Sequence, residues 1–184
     1  MRIPSRPLRT FTGPFQDIRL DFTPEPPLTE QERSHYSQNY PTTLAYLHVY
    51  LGEEDATEFL PSGYLLWILD GLLHGVADLV TGRSATATSD WGSDPWQFDL
   101  RGDPAHNRVY ITLHVPGRWV AMRDVFAPLD RFGEEVIRLA QKWEKYLHSL
   151  YHEEMIDPEW GKDYRLFQQH LKRAQHALRS YKGR

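Results

Sequence analysis

The sequence predicts an α+β fold in which helices pack on one face of an antiparallel sheet and a basic helix ends the chain. Four short β-prone runs follow one another between residues 84 and 126, with glycine or proline at each junction. Closely spaced strands joined by tight turns indicate an antiparallel meander. An apolar seam of helical spacing follows the meander, and such a helix would cover one face of the sheet.

Length and composition favour one domain spanning residues 1–184. A chain of 184 residues with 40% hydrophobic content can bury roughly 70% of its unfolded surface. The basic, proline-broken residues 1–14 are expected to be a flexible start. Residues 23–41 contain four prolines among polar side chains and are predicted to form a surface loop.

The absence of cysteine excludes disulfides, thiolate metal sites and a cysteine nucleophile. No apolar run of signal-peptide length follows the start, and the longest apolar stretch, residues 64–80, is interrupted by charged side chains. A cytoplasmic location is therefore expected, with no membrane association.

The first elements follow from short-range patterns. Ile18, Leu20 and Phe22 alternate with polar residues, which is typical of a half-buried strand. Residues 43–51 are rich in β-formers and predict a second strand.

A helix is expected to follow, capped by Ser62 and ended by Gly82. Gly71 and Gly75 each cost roughly 1 kcal/mol in a helix interior, so close packing or a break is expected there.

The second half of the chain gives clearer signals. One long helix is predicted from Leu129 to Tyr151, because apolar residues recur every three or four positions. A basic helix is predicted over 159–182. The four β-prone runs of the meander lie near 84–90, 96–101, 107–115 and 118–126.

Charge is divided unevenly along the chain. Residues 161–184 carry seven basic side chains and one acidic one, residues 1–10 carry three basic ones, and residues 11–160 carry 11 basic and 24 acidic ones. The acidic body, with a net charge of −13, either receives the basic tail as a docked helix or attracts a basic partner.

Motifs that would name a reaction are missing. The sequence contains no nucleophile elbow, dinucleotide or phosphate-binding glycine motif, and no zincin motif. Asp70, His74 and Asp78 share one face of the predicted helix, where the imidazole could act as a general base. The same spacing is typical of a solvent-facing helix stripe, which is the favoured interpretation.

His148 and His152 are also four residues apart and could together hold a divalent metal. A position near a helix end is the favoured explanation, since a cation there interacts favourably with the helix dipole. No metal or other cofactor is therefore expected.

Partner-binding candidates lie at the predicted hairpin turns. Trp91, Asp94, Trp96 and Trp119 sit at or beside these turns, where exposed aromatics can anchor an interface. Packing of the tryptophans across the sheet onto the long helix is given at least equal weight.

These observations favour a non-catalytic protein-interaction module that binds a basic protein partner. In layout alone, the chain is similar to small proteins that neutralise a partner, such as immunity or antitoxin proteins. The alternative is an enzyme or small-ligand-binding protein with an unrecognised histidine and carboxylate site. Nucleic acid binding is not expected, because the acidic body would repel a phosphate backbone.

Overall fold

The computed structural model of the chain describes residues 9–25, 44–91, 95–150 and 161–183. These residues form an α+β fold with a C-terminal helix, which confirms the predicted class. The strands are β1 (Phe11–Pro14), β2 (Ile18–Pro24), β3 (Leu44–Leu51), β4 (Glu54–Asp55), β5 (Gly63–Tyr64), β6 (Thr86–Asp90), β7 (Gln97–Asp103), β8 (Arg108–Val115) and β9 (Trp119–Pro128). The α-helices within these ranges are α1 (Leu65–Thr81), α2 (Leu129–Leu150) and α3 (Gly161–Lys182).

The large sheet has the strand order β1-β9-β8-β7-β6. Strands β6 to β9 pair antiparallel with their neighbours in the chain, while β1 pairs parallel with β9, with Phe11 opposite Met122. Residues 11–14 were expected to belong to a flexible start, and that expectation is wrong. Phe11 packs against the core and β9 offers its edge, so both contacts hold this segment as a strand.

The small sheet has β3 at its centre, paired antiparallel with β2, β4 and β5. Every second side chain of β2 and β3 is apolar and points towards the helices, as the sequence predicts. Thr23 and Pro24, expected in the loop, are the last residues of β2. The rest of the predicted 23–41 loop lies outside the described residues, except Glu25.

Helix α1 does not begin with a serine cap. It starts at Leu65, and the residue at its N-cap, Tyr64, makes no capping bond with its side chain. The Ser62 hydroxyl donates instead to the carboxylate of Glu25, at 2.5 Å. The helix ends as predicted, because Gly82 takes the left-handed conformation with φ of +70°.

Close packing explains the two glycines inside α1. A Cβ at Gly71 would lie 2.6 Å from the Ser89 hydroxyl oxygen, and one at Gly75 would lie 2.9 Å from the Ala87 Cβ. Ser89 and Ala87 belong to β6, so the helix lies directly against that strand. The Ser89 hydroxyl also donates to the carbonyl oxygen of Ile68, at 2.8 Å.

Helices α2 and α3 complete the helical layer. The predicted seam of α2 is buried as far as Leu147, whereas Leu150 is 38% exposed and Tyr151 lies outside the described residues. Of the predicted 159–182 helix, residues 161–182 are described and helical. The apolar stripe of α3 is buried against the other helices and consists of Tyr164, Phe167, Leu171, Ala174 and Leu178.

Helices α1 and α3 run side by side in the same direction. Leu79, near the end of α1, packs against Gly102, and the Tyr181 hydroxyl, near the end of α3, donates to the Pro104 carbonyl at 2.7 Å. Within the described residues, none of the helices α1, α2 and α3 is long and apolar enough to cross a membrane.

The free edge of β2 is capped by two side chains of α2. The Leu20 N–H donates to Glu135 Oε2 at 3.0 Å, and the Arg138 guanidinium donates to the Leu20 carbonyl oxygen. Glu135 and Arg138 also pair with each other. Burial would raise the pKa of Glu135, but hydrogen bonds from Arg138 and Leu20 outweigh burial and lower it. The cap blocks pairing with another strand and fixes β2 in place.

We expect Gly71→Ala to destabilise the protein, although this change normally stabilises a helix by about 1 kcal/mol. The added methyl group would meet the Cβ of Ser89 at 2.8 Å and its Cα at 3.1 Å, so β6 must move away. Urea unfolding would measure the change. An unchanged or higher free energy of unfolding would show that α1 and β6 are not in close contact.

We expect Glu135→Gln to reduce the pH dependence of stability in acid. The folded pKa of Glu135 lies below its ordinary value of 4.5, so its carboxylate stabilises the fold above that pH. This contribution is lost as the pH falls through the folded pKa. In urea melts, the free energy of unfolding should fall less between about pH 7 and about pH 3 in Glu135→Gln than in the unsubstituted protein.

Glu134→Gln is the matched control for that measurement. The Glu134 carboxylate contacts the side chains of Arg131 and Lys182 and makes no backbone contact to β2. Equal effects of the two substitutions would contradict the special role of the β2 cap.

Candidate functional site

Two of the tryptophans predicted to bind a partner are buried in the core. Trp91 is 0% exposed and Trp96 is 1% exposed. The Trp91 indole N–H donates to the Pro61 carbonyl at 3.2 Å, and Trp96 packs edge-on against Phe59. The prediction that these side chains are exposed anchors is wrong, because both extend inward between the large sheet and residues 59–63.

The other two residues of that prediction give no support to it. Trp119, at the start of β9, is partly buried and packs against the core. Asp94 lies outside the described residues. The hairpin between β6 and β7 therefore offers no described aromatic anchor, and a binding surface must lie elsewhere.

Asp70, His74 and Asp78 lie beside helix α3, which covers the two carboxylates, whereas the His74 side chain is 50% exposed to solvent. His170 of α3 lies 2.6 Å from Asp70, Arg173 pairs with Asp78, and His74 lies 3.0 Å from Asp78. The carboxylates of Asp70 and Asp78 are only 26% and 18% exposed. These contacts dock the basic tail on the acidic body, as one of the two sequence interpretations proposed.

His148 lies beside α3 and contacts the hydroxyl of Tyr164 at 2.6 Å. Burial raises the pKa of Tyr164, and the neighbouring carboxylate of Glu144 raises it further. His152, the second member of the suggested metal pair, lies outside the described residues. Among the described residues, no group of three or more suitable side chains could hold a metal ion.

The most distinctive polar surface lies on the outer face of the small sheet, which is the face turned away from the helices. Strand β3 buries every second residue, so Tyr46, His48 and Tyr50 lie on the outer face. The Arg19 guanidinium of β2 stacks 4.0 Å from the centre of the Tyr50 ring. Tyr46 is 41% exposed, so this face is open to a binding partner.

A hydrogen-bonded chain crosses the outer face. The Thr23 hydroxyl lies 2.9 Å from His48 Nε2, and His48 Nδ1 lies 2.6 Å from Asp55 Oδ2. Thr57 holds the other oxygen of Asp55 with its backbone N–H at 2.9 Å and its hydroxyl at 2.8 Å. A hydroxyl, an imidazole and a fixed carboxylate are thereby placed in line.

An acidic cleft of about 450 Å³ adjoins these hydrogen-bonded side chains at the end of β3. It brings four carboxylates together with three aromatic rings. The cleft is lined by Arg9, Phe11, Tyr50, Glu53, Glu54, Asp55, Ala56, Glu58 and Phe59. Glu53 and Glu58 have no basic partner within the described part of the chain.

The cleft already contains one cation from the chain itself. The Arg9 guanidinium lies 4.2 Å from the centre of the Phe11 ring and pairs with Glu54. An aromatic face and a carboxylate are the two surfaces that recognise a guanidinium group. The cleft is therefore chemically suited to basic side chains.

Comparison with known proteins adds no assignment: no family model matches the chain, and searches of curated proteins and solved structures found no match.

Part of the candidate site was visible in the sequence. The alternation in 43–51 separates Tyr46, His48 and Tyr50 from the buried residues between them. The partners of His48 were not visible, because they depend on the register of β2 and on the turn that brings Asp55 back. Trp67 was overlooked although it lies off the apolar stripe of α1, and it is 45% exposed.

We expect Trp91→Ala to lower the free energy of unfolding by about 3–5 kcal/mol, as truncation of a fully buried aromatic side chain does. Trp67→Ala is the control. The Trp67 residue is 45% exposed, so removal of its ring should lower the free energy of unfolding by about 1 kcal/mol or less. Denaturant melts of both variants would measure the difference. Similar costs would show that Trp91 is not a core residue.

Proposed function

We propose that this chain is a protein-interaction module that binds a basic partner through the acidic cleft and the adjoining outer face of the small sheet. The observation that carries the proposal is the position of Arg9, which lies in the cleft against Phe11 and Glu54. A partner's arginine or lysine would displace Arg9 from these surfaces or meet the carboxylates of Glu53 and Glu58 beside them.

The charge distribution supports a basic partner. Cations of α3 pair with acids of the helical layer, since Arg173 contacts Asp78 and Lys182 contacts Glu134. The tail therefore pairs with acids on the helix side of the molecule, whereas Glu53 and Glu58 in the cleft have no basic partner among the described residues. Uncompensated acidic charge at one end raises the rate of association with a basic protein.

Exposed aromatic side chains support an interface along the small sheet, towards the end of β3 opposite the cleft. Tyr46 is 41% exposed on the outer face, and Trp67 is 45% exposed where its ring packs 4.8 Å from that of Tyr64. Tyr64 belongs to β5, which pairs with the start of β3. Aromatic side chains of this kind are the usual source of binding energy in interfaces.

A binding module of this kind would act by occupying a basic surface of its partner, as an immunity or antitoxin-like inhibitor does. The alternative function, an enzyme with a histidine and carboxylate site, draws on a separate observation, the hydrogen-bonded chain of Thr23, His48 and Asp55.

We expect Glu58→Lys to slow association with the partner at least about tenfold, because it reverses a charge in the cleft. The partner would be captured on the immobilised chain, identified, purified and measured in a kinetic binding assay. Raising salt from about 50 mM to about 500 mM should slow association for the unsubstituted chain.

Asp90→Lys is the matched control, because Asp90 is exposed at the edge of the large sheet and the substitution changes the charge equally. It should alter the association rate less than about twofold. An acidic partner, a rate insensitive to salt, or equal effects of the two substitutions would contradict the proposal.

A further inference from the structure

We propose that Thr23, His48 and Asp55 form an acyl-transfer site that acts on carboxylic esters, with the Thr23 hydroxyl as the nucleophile. This proposal does not rest on partner binding by the cleft. It rests on the order, spacing and exposure of three side chains on the outer face.

The contacts assign a role to each group. The Asp55 carboxylate can only accept a hydrogen bond, so His48 Nδ1, 2.6 Å away, carries the proton. In the neutral ring, Nε2 is then the acceptor and receives the hydrogen bond of the Thr23 hydroxyl at 2.9 Å. This is the arrangement in which an imidazole removes the proton of an attacking hydroxyl.

Side-chain exposure increases from Asp55 through His48 to Thr23, which is the direction that the chemistry requires. The Asp55 side chain is 13% exposed, that of His48 is 22% exposed, and Thr23 is an exposed residue. The positioning group is thus held within the protein, while the nucleophile is open to a substrate. Thr57, which is 2% exposed, fixes the far oxygen of Asp55.

The site is built on rigid elements. Thr23 and His48 lie on paired strands, with Thr23 opposite Tyr46 and Asp21 opposite His48. The cap that Glu135 and Arg138 place on Leu20 fixes β2 three residues before the nucleophile. Strands hold such groups more accurately than loops do.

The reaction balances without a cofactor. The Thr23 oxygen forms a bond to the carbonyl carbon of the ester while His48 Nε2 takes the hydroxyl proton. The bond to the leaving alcohol then breaks, and His48 returns the proton to that alcohol. Water attacks the acyl-threonine by the same route, which releases the carboxylic acid and restores the threonine hydroxyl.

The acetyl ester p-nitrophenyl acetate is the probe for this site. The full chain should release p-nitrophenolate and carry a single acetyl group on Thr23, located by peptide mass spectrometry after acid quenching. Thr23→Val, which keeps the shape and removes the hydroxyl, should lower the release rate about 100-fold, and so should His48→Gln. Thr23→Ser should retain the activity and the adduct.

Thr88→Val is the matched control, because Thr88 is an exposed strand threonine on the large sheet. It should leave the release rate unchanged. Thermal melts of every variant would identify a substitution that unfolds the chain. If Thr23→Val unfolds, the release rates of the other two variants test the proposal: Thr23→Ser should stay active, and His48→Gln should be about 100-fold slower. The proposal is overturned if release is equal in the folded hydroxyl-free variant, or if acetyl groups occur on lysine side chains alone.

Discussion

The close approach of α1 to β6 is the constraint on which the rest of the structure depends. Gly71 and Gly75 remove the side chains that would hold the helix away from the strand. With the sheet on one side, α1 presents Asp70, His74 and Asp78 beside α3, which covers the two carboxylates and leaves His74 half exposed. The carboxylates can be partly buried there because His170 and Arg173 pair with them. Removing water from these groups costs free energy, and the paired charges offset that cost.

This arrangement divides the electrostatics of the molecule into two regions. The positive charge of the C-terminal segment is used within the helical layer, where it compensates acids of α1 and α2. Among the described residues, the exposed side of the small sheet receives Arg9, Arg19 and Lys142: Arg19 stacks on Tyr50, and Lys142 pairs with Asp21. The net charge of −4 for the whole chain therefore understates the acidity of this end, which supports the proposed preference for a basic partner.

The sequence predicted those features that depend on local periodicity. The buried seam of α2, strands β6 to β9 of the large sheet and the end of α1 at Gly82 all follow from short-range patterns, whereas β1 does not. The fate of Trp91 and Trp96 could not be predicted in this way, because a residue beside a turn faces inward or outward according to the packing of distant elements. The chain of Thr23, His48 and Asp55 depends likewise on strand register and on a turn.

The outer face of the small sheet combines two properties that arise from one cause. Leu47 and Val49 must enter the core, so strand alternation directs Tyr46, His48 and Tyr50 outward. No described helix covers this face, so its polar groups satisfy one another across the strands or remain available to a ligand. The charge of the cleft comes from the β3–β4 turn and the residues after it, whereas the nucleophile candidate lies on β2. Asp55 lines the cleft and also belongs to the acyl-transfer site, whereas Glu58 belongs to the cleft and Thr23 to the acyl-transfer site, so Glu58→Lys and Thr23→Val test the two roles separately.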